Sequence, residues 1–275
     1  MEAQYEQLHI EMTSVPVRPK ISVVIPTLNE ASHIGNCLRS VREVLPEAEI
    51  LVVDGGSTDE TADIASGRGV LVLSAPRGRG TQCNEGGLLA TGEIILFLHA
   101  DTTLPSDAHE LITLEFSDPK TRVAMFRLSF DDDHPLLRFY AFFTRFDSEW
   151  FKFGDQVIIL RREMFWKMGG FRNWPLLEDV ELLQRLRMIT KIRIFPAAVT
   201  TSARRFRAGG FVRRQLRNGW ILLRFFLGES PYNLAQEYNG ESTSTAVRPL
   251  SSPEAERIKE LGLRHVRPFL IRGNH

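Results

Sequence analysis

A chain of 275 residues, 43% hydrophobic and 25% charged, has the composition of an ordinary globular protein with one substantial core, which excludes a fibrous or wholly disordered chain. Its 34 Lys and Arg balance 34 Asp and Glu, so total charge points to neither nucleic acid nor an anionic membrane. Locally the balance breaks: from Leu182 to Gly228 there are eleven Lys or Arg and no acid, a field that suits an anionic ligand, a lipid headgroup or a solvated helix face.

Residues 1–19 hold two prolines and no periodicity and read as a mobile arm. Glu2, Glu6 and Glu11 precede the first basic residue, Arg18, the wrong pattern for a targeting peptide. A rhythm then begins. Ile21–Ile25 is a β-branched strand ended by Pro26, and Ile34, Leu38 and Val41 give residues 31–43 a helical spacing. Ile50–Val53 is a second strand, with Ser57–Glu60 capping a helix over 59–66. Val70–Leu73, a helix over 81–91 and Glu93–Leu98 complete the alternation. Strands that are apolar on both faces predict an α/β fold with a mostly parallel central sheet and helices on both faces.

Past residue 104 the rhythm loosens. The pattern predicts a helix over 105–116, a strand near 122–130, an aromatic-rich stretch over 134–153 and a strand over Gln156–Leu160. Helices near 162–169 and over Glu178–Met188 follow, then a short strand over Ile192–Phe195. Residues 209–227 are basic and apolar by turns and read as a helix, fit for a peripheral membrane contact or a homodimer interface. Residues 239–256 are Ser/Thr/Pro-rich and read as loose. No run reaches the roughly 18 apolar residues of a membrane span. With Cys37 and Cys83 both in helical segments, a disulfide framework is not expected. A cytoplasmic protein follows, peripheral at the inner membrane face if it meets a membrane at all.

In parallel sheets ligands sit beyond the carboxyl ends of the strands. Those places are polar here: Pro26–Glu30, Asp54–Asp59, Arg77–Asn84 and His99–Thr103. Asp54 suits a ring N–H or a ribose hydroxyl, Gly55 and Gly56 allow close backbone approach, and Ser57–Asp59 read as helix caps. Asp101, at a strand's end, suits Mg²⁺ or Mn²⁺ on a diphosphate, with His99 either assisting or structural. Glu178 and Asp179 start a helix, as general base or as acids favoured by the helix dipole, and Glu181 further in is structural.

Taken in order, Val24–Glu30, Val52–Asp59, Asn84 before Gly86, Gly92–Asp101 and Glu178–Asp179 resemble the family 2 glycosyltransferases of GT-A fold over roughly residues 21–190. Arg77-Gly-Arg-Gly80, His99-Ala-Asp101 and Thr201–Arg205 bring the chain closest to a subgroup associated with arsenosugar-type biosynthesis. The resemblance implies a GT-A domain over 20–205, followed by a basic helical extension and tail over 206–275. It implies that Pro26, Thr27, Glu30, Asp54 and Gly55 hold the nucleoside of a nucleotide-sugar, most simply a UDP-sugar. Arg77, Arg79, Asn84, His99 and Ala100 would join them, with Asp101 as the ligand of Mn²⁺ or Mg²⁺. His99 stands where the family pattern has its first acid. Asp179 would be the base and Glu178 its neighbour, Asp155 and Gln156 would face a hydroxyl acceptor, and Arg204 or Arg205 would close over the diphosphate.

Two rival readings remain. A nucleotidyltransferase shares a related architecture but opens with a Gly-rich, Lys-bearing loop, which Pro26–Glu30 is not. A non-enzymatic basic protein rests on residues 204–217 alone and leaves Asp54, Asp101 and Asp179 unexplained. Nucleic acid is therefore not an expected partner.

Overall fold

The computed structural model describes residues 19–146 and 154–239. Nearly all of the arm expected over 1–19, Phe153, and the stretch beyond residue 239 lie outside the described residues. In the first hundred residues the alternation holds: β1 (Ile21–Thr27), α1 (Ala31–Val44), β2 (Glu49–Asp54), α2 (Thr61–Ser66), β3 (Leu71–Ser74), α3 (Arg79–Leu89) and β4 (Ile94–Phe97). β1 pairs in parallel with β2 on one side and β4 on the other, and β3 lies outside β2. Alternate residues of each strand point to opposite faces. Val23 and Ile25 therefore pack with Ile34, Leu38 and Val41 of α1. Val24 packs on the other face with Cys83 of α3. Helix α3 lies close to the sheet because residue 86 is glycine; a Cβ there would stand 2.3 Å from Val24 Cγ1.

Beyond β4 the sheet becomes mixed. β5 (Thr102–Thr103), α4 (Ala108–Ser117), β6 (Val123–Phe130), α5 (Pro135–Phe143), a 3₁₀ turn at Gly154–Gln156, β7 (Ile158–Arg161), α6 (Arg162–Met168) and α7 (Glu178–Arg187) lead to β8 (Ile192–Thr201). α8 (Arg204–Gly209), α9 (Phe211–Phe226) and α10 (Pro231–Asn239) follow. The eight strands lie in the order β3-β2-β1-β4-β7-β6-β8-β5. β7 runs antiparallel to both β4 and β6, while β8 runs parallel to β6. Two consequences place the site. The start of β7 meets the end of β4, and the end of β8 reaches the same edge as the ends of β1, β2 and β4.

The structure departs from the sequence expectation at several elements. β8 runs to Thr201 rather than stopping at Phe195. Pro196 lies where the register with β6 breaks, between Ile194↔Met125 and Ala198↔Arg127, and an irregularity tolerates a residue without an N–H. The added length pairs Thr200 and Thr201 with the two-residue β5, which periodicity cannot reveal. Part of the aromatic-rich stretch is helix α5, begun by Pro135 and by His134 Nδ1 accepting from Leu136 N at 3.2 Å. α2 starts at Thr61 rather than 59, because the Asp59 carboxylate accepts from Thr61 N and from Ala31 N, each at 3.1 Å. It thereby ties the starts of two helices together. α9 is the helix expected over 209–227, and its Ile221 and Leu222 pack on Leu177, Val180 and Leu234.

Candidate active site

Four loops meet at the carboxyl edge of β1, β2 and β4. Register places Thr27 beside Asp54 at that edge. Thr27 Oγ1 donates to Asp54 Oδ1 at 3.3 Å, and both residues are buried. Asp54 is also occupied by its own loop, accepting from Gly56 N at 3.0 Å, from Ser57 N at 2.8 Å and from Ser57 Oγ at 2.5 Å. The carboxylate that helix capping left unexplained thus shapes the turn. Gly55 is needed where it stands, since a Cβ would lie 3.0 Å from the Gln82 carboxamide. Gln82, not anticipated from the sequence, donates to Thr27 O and to Val53 O, both at 2.7 Å, and clamps α3 to the ends of β1 and β2. A buried polar residue on the inner face of α3 was the available signal.

Asp101 follows β4 and is joined to the far end of the chain. Its carbonyl accepts from Ser202 N at 3.1 Å, continuing the β5–β8 pairing. Arg204, two residues on, sets Nη2 3.2 Å from Asp101 Oδ2. The same Nη2 donates to Glu30 Oε1, and Nη1 lies 3.1 Å from His33 Nδ1. Burial works against the guanidinium's charge, yet Glu30 and Asp101 outweigh it and raise the Arg204 pKa above the ordinary arginine value. Glu30 Oε2 is buried without a hydrogen-bond partner among the described residues, with His33 Nδ1 3.6 Å away.

His99 lies one strand away. Because β7 enters where β4 ends, His99 Nδ1 lies 3.1 Å from Asp155 Oδ1. Partial desolvation pushes the Asp155 carboxyl up, but the His99 hydrogen bond and charge, with Arg79 and Arg205 nearby, hold it well below the usual carboxylate range. Gln156 is fully buried, so its side chain is enclosed rather than presented to an acceptor.

The acid pair sits opposite. Glu178 and Asp179 open α7, where free N–H groups favour negative charge. Both are nearly buried, with side chains 2% and 7% exposed. Arg79, at the start of α3, donates Nε to Glu178 Oε1 and sets Nη2 3.4 Å from Asp179 Oδ1. One guanidinium compensates two adjacent carboxylates, and Arg79 thus lies on the acid pair rather than pointing at a diphosphate. Glu181 is tied to Arg185 at 2.7 Å and Arg172 at 3.1 Å, as a structural residue would be. Arg79, Asp179, His99 and Pro26 line one small cavity with Phe97 and Phe171. Tyr140 of α5 belongs to this neighbourhood: burial, with Asp155 and Asp179, keeps its hydroxyl protonated far above pH 10.

Other expected residues stand apart. Asn84 spends its amide on the Phe171 backbone, accepting from Phe171 N at 2.9 Å and donating to Phe171 O at 3.0 Å, which fixes the loop leading to α7. Ala100 is packed in the core and offers only its backbone. Arg77 is exposed on the turn before α3. Cys37 and Cys83 are free and buried, and burial raises both thiols far above the usual range, so neither is a thiolate nucleophile.

Among the described residues no three His, Cys, Asp or Glu side chains form a ready cation cluster. Asp101 nevertheless fits a divalent ion of the kind that is held by one carboxylate and completes its shell with substrate phosphates and water.

The Glycosyl transferase family 2 model matches residues 22–170, more than half of the chain. A PGL/p-HBAD biosynthesis glycosyltransferase of Mycobacterium bovis is 42% identical over 94 residues, covering 31% of this chain and 37% of that protein. The chain therefore matches little more than a third of that relative's length. Staphylococcus aureus TarS 1–349 in complex with UDP-GlcNAc aligns with a TM-score of 0.56 at 18% identity, covering 66% of this chain and 58% of TarS. Glucosyl-3-phosphoglycerate synthase of Mycobacterium tuberculosis, in complex with Mn²⁺, UDP and phosphoglyceric acid, aligns at 0.55 and 18% identity over 77% of this chain and 80% of that one. These likenesses bear out the GT-A architecture.

Proposed function

The chain belongs to glycosyl transferase family 2, and we propose that it moves a hexosyl group from a nucleoside diphosphate, UDP by preference, to an acceptor hydroxyl with inversion. What supports this reading is that Glu30 and Asp101 share Arg204, that Asp54 lies beside Thr27 at the ends of β1 and β2, and that Pro26, next to Thr27, lines one small cavity with His99 and Asp179. Neither rival reading uses all these acids.

In this reading Thr27 and the turn that Asp54 shapes hold the nucleoside, with Glu30 Oε2 taking a ligand hydrogen and the backbones of Pro26, Gly55 and Ala100 lining the approach. Arg77 stands at the mouth. Arg204 and Arg205 neutralise the diphosphate. Asp155, held ionised and half exposed, binds the acceptor and orients His99. Asp179 takes the acceptor proton as the oxygen attacks the anomeric carbon; Glu178 fixes Arg79, which steadies Asp179. A Mn²⁺ or Mg²⁺ ion on Asp101 would supply charge for the leaving diphosphate. TarS with UDP-GlcNAc and the synthase with Mn²⁺ and UDP support uridine and a divalent ion. The Arg77–Gly80, His99–Asp101 and Thr201–Arg205 motifs support the arsenosugar-associated subgroup. Two buried free thiols support a cytoplasmic setting.

A thermal-shift panel of UDP-, GDP- and dTDP-sugars with Mn²⁺ tests the donor assignment. We expect one nucleotide class to raise the midpoint, and transfer of its sugar to release the nucleoside diphosphate. No shift with any of them, or pyrophosphate released from a nucleoside triphosphate, would overturn the reading.

Among the described residues no helix is long and apolar enough to cross a membrane. α9 is nonetheless apolar on its outer side. Val212, Leu216, Trp220, Leu223 and Leu227 recur at helical spacing, and Leu216 and Leu227 are 69% and 78% exposed. Arg205 and Arg213 are exposed nearby, in a segment without acids. For 209–227 this favours an anionic bilayer over a second copy of the chain. Sedimentation with phosphatidylglycerol vesicles should fall sharply in Leu216→Glu. A salt-insensitive dimer disrupted by that same change would refute the membrane contact.

A further inference from the structure

Arg204 sits on Asp101, the carboxylate to which the proposed function gives the metal ion. Its guanidinium bridges Asp101 and Glu30, residues 103 and 174 positions away in sequence, and it is 29% exposed. No other cation is recorded on the Asp101 carboxylate among the described residues. The element that carries it is lightly held. α8 has six residues and none of them is buried. It is held by a few surface contacts: Asp131 Oδ1 accepts from Ala203 N at 2.6 Å, Arg207 pairs with Asp131 at 3.2 Å and with Asp132 at 3.1 Å, and the Phe206 ring meets Phe130. It ends at Gly209 and is followed by Gly210 at φ +77°, leaving backbone freedom before α9. A segment with so little buried surface opens at low cost.

Resting on the donor site described above, we propose that Arg204 is a resident counter-ion of Asp101: a divalent cation must displace it, and a diphosphate then takes up the displaced guanidinium. Two positive groups cannot share the Asp101 carboxylate at contact distance without strong repulsion. A metal arriving alone must therefore part Arg204 from Asp101 and leave the guanidinium with Glu30 as its one carboxylate. When a nucleoside diphosphate is present, its oxygens receive Arg204 with charge-assisted hydrogen bonds, and the metal no longer bears that cost. The cation and the nucleotide become coupled through one side chain, and the coupling is reciprocal. It also gives a division of labour within the site: Asp101 changes partner, while Glu30 keeps Oε2 for the ligand.

The test is Mn²⁺ binding to the whole protein, read by the electron paramagnetic resonance of free Mn²⁺, with and without UDP. In the unmodified protein UDP should tighten Mn²⁺ by about 5- to 150-fold, the usual span of such coupling. Arg204→Ala should bind Mn²⁺ more tightly without UDP, and its UDP effect should shrink by about fivefold or more, within that same span. Arg204→Gln, which removes the charge but keeps a hydrogen-bonding group, should match it if the alanine variant folds poorly. Arg193→Ala, which breaks the distant pair with Glu115, should leave both affinities unchanged. Adding Asp101→Asn to Arg204→Ala should erase the gain. Where UDP binds, equal UDP effects in the unmodified and Arg204 variants would overturn the proposal, and in every case so would Arg204 variants with no gain in Mn²⁺ affinity. Should the gain appear while UDP and GDP bind to no variant, displacement would stand and the glycosyltransferase reading would fall.

Discussion

Changing Asp179 to Asn is expected to slow sugar transfer by about 10²–10⁴, the range for loss of a positioned general base, while donor binding survives. An acceptor hydroxyl is a weak nucleophile until something takes its proton, and Asp179 is the carboxylate that lines the cavity. The substitution removes the charge that Asp179 presents to Arg79 but keeps the side chain's size and its local backbone bond. Asp179 Oδ1 accepts from Val180 N at 2.9 Å, a bond the amide oxygen of Asn can keep. Glu178 continues to hold Arg79. What Asn cannot do is accept a proton near neutral pH. Single-turnover transfer, measured beside UDP-sugar binding, separates the two effects. Transfer at the unmodified rate would show that another group removes the proton, His99 being a candidate because it lines the same cavity.

The second large loss is expected at Asp101. Its replacement by Ala should remove the whole increment that Mn²⁺ gives to donor binding, and lower kcat by about 10² or more, as when a preorganised electrostatic contact to the transition state is lost. Arg204 keeps Glu30 as a counter-ion in this variant, so the site is not left with an isolated buried charge. Calorimetry of UDP-sugar binding with and without Mn²⁺ reads the outcome. If Mn²⁺ still tightened binding, the ion would have to sit elsewhere. The measurement complements the Arg204 variants, since one removes the shared carboxylate and the other removes its competitor.

The parallel part of the sheet was legible because strands buried on both faces must be built from Val, Ile and Leu. Ile21–Ile25 and Ile50–Val53 could hardly be anything else. The mixed part was not. Whether Ile158–Leu160 runs with or against its neighbour leaves no trace in periodicity, yet that direction alone brings Asp155 to His99. Pro196 hid the second half of β8, and with it the route by which Arg204 reaches Asp101. Roles were harder to read than positions. Asp54 and Asn84 fall where the motifs put them, but Asp54 shapes its own turn and Asn84 anchors Phe171. Side-chain amides and carboxylates serve a loop or a ligand equally well, and only geometry separates the two uses.

Two arginines of the cleft, Arg79 and Arg204, balance acids from distant parts of the polypeptide. Arg79 comes early and answers Glu178 and Asp179, 99 and 100 positions later; Arg204 comes late and answers Glu30 and Asp101. Neither end is electrically self-sufficient. Until the two meet, each carries carboxylates and a guanidinium that stay solvated, and neutralisation comes with docking rather than with the folding of either part. Charge therefore reports on assembly: a chain that had formed the parallel half of its sheet but not received the mixed half would still be marked by unmatched acids at the rim.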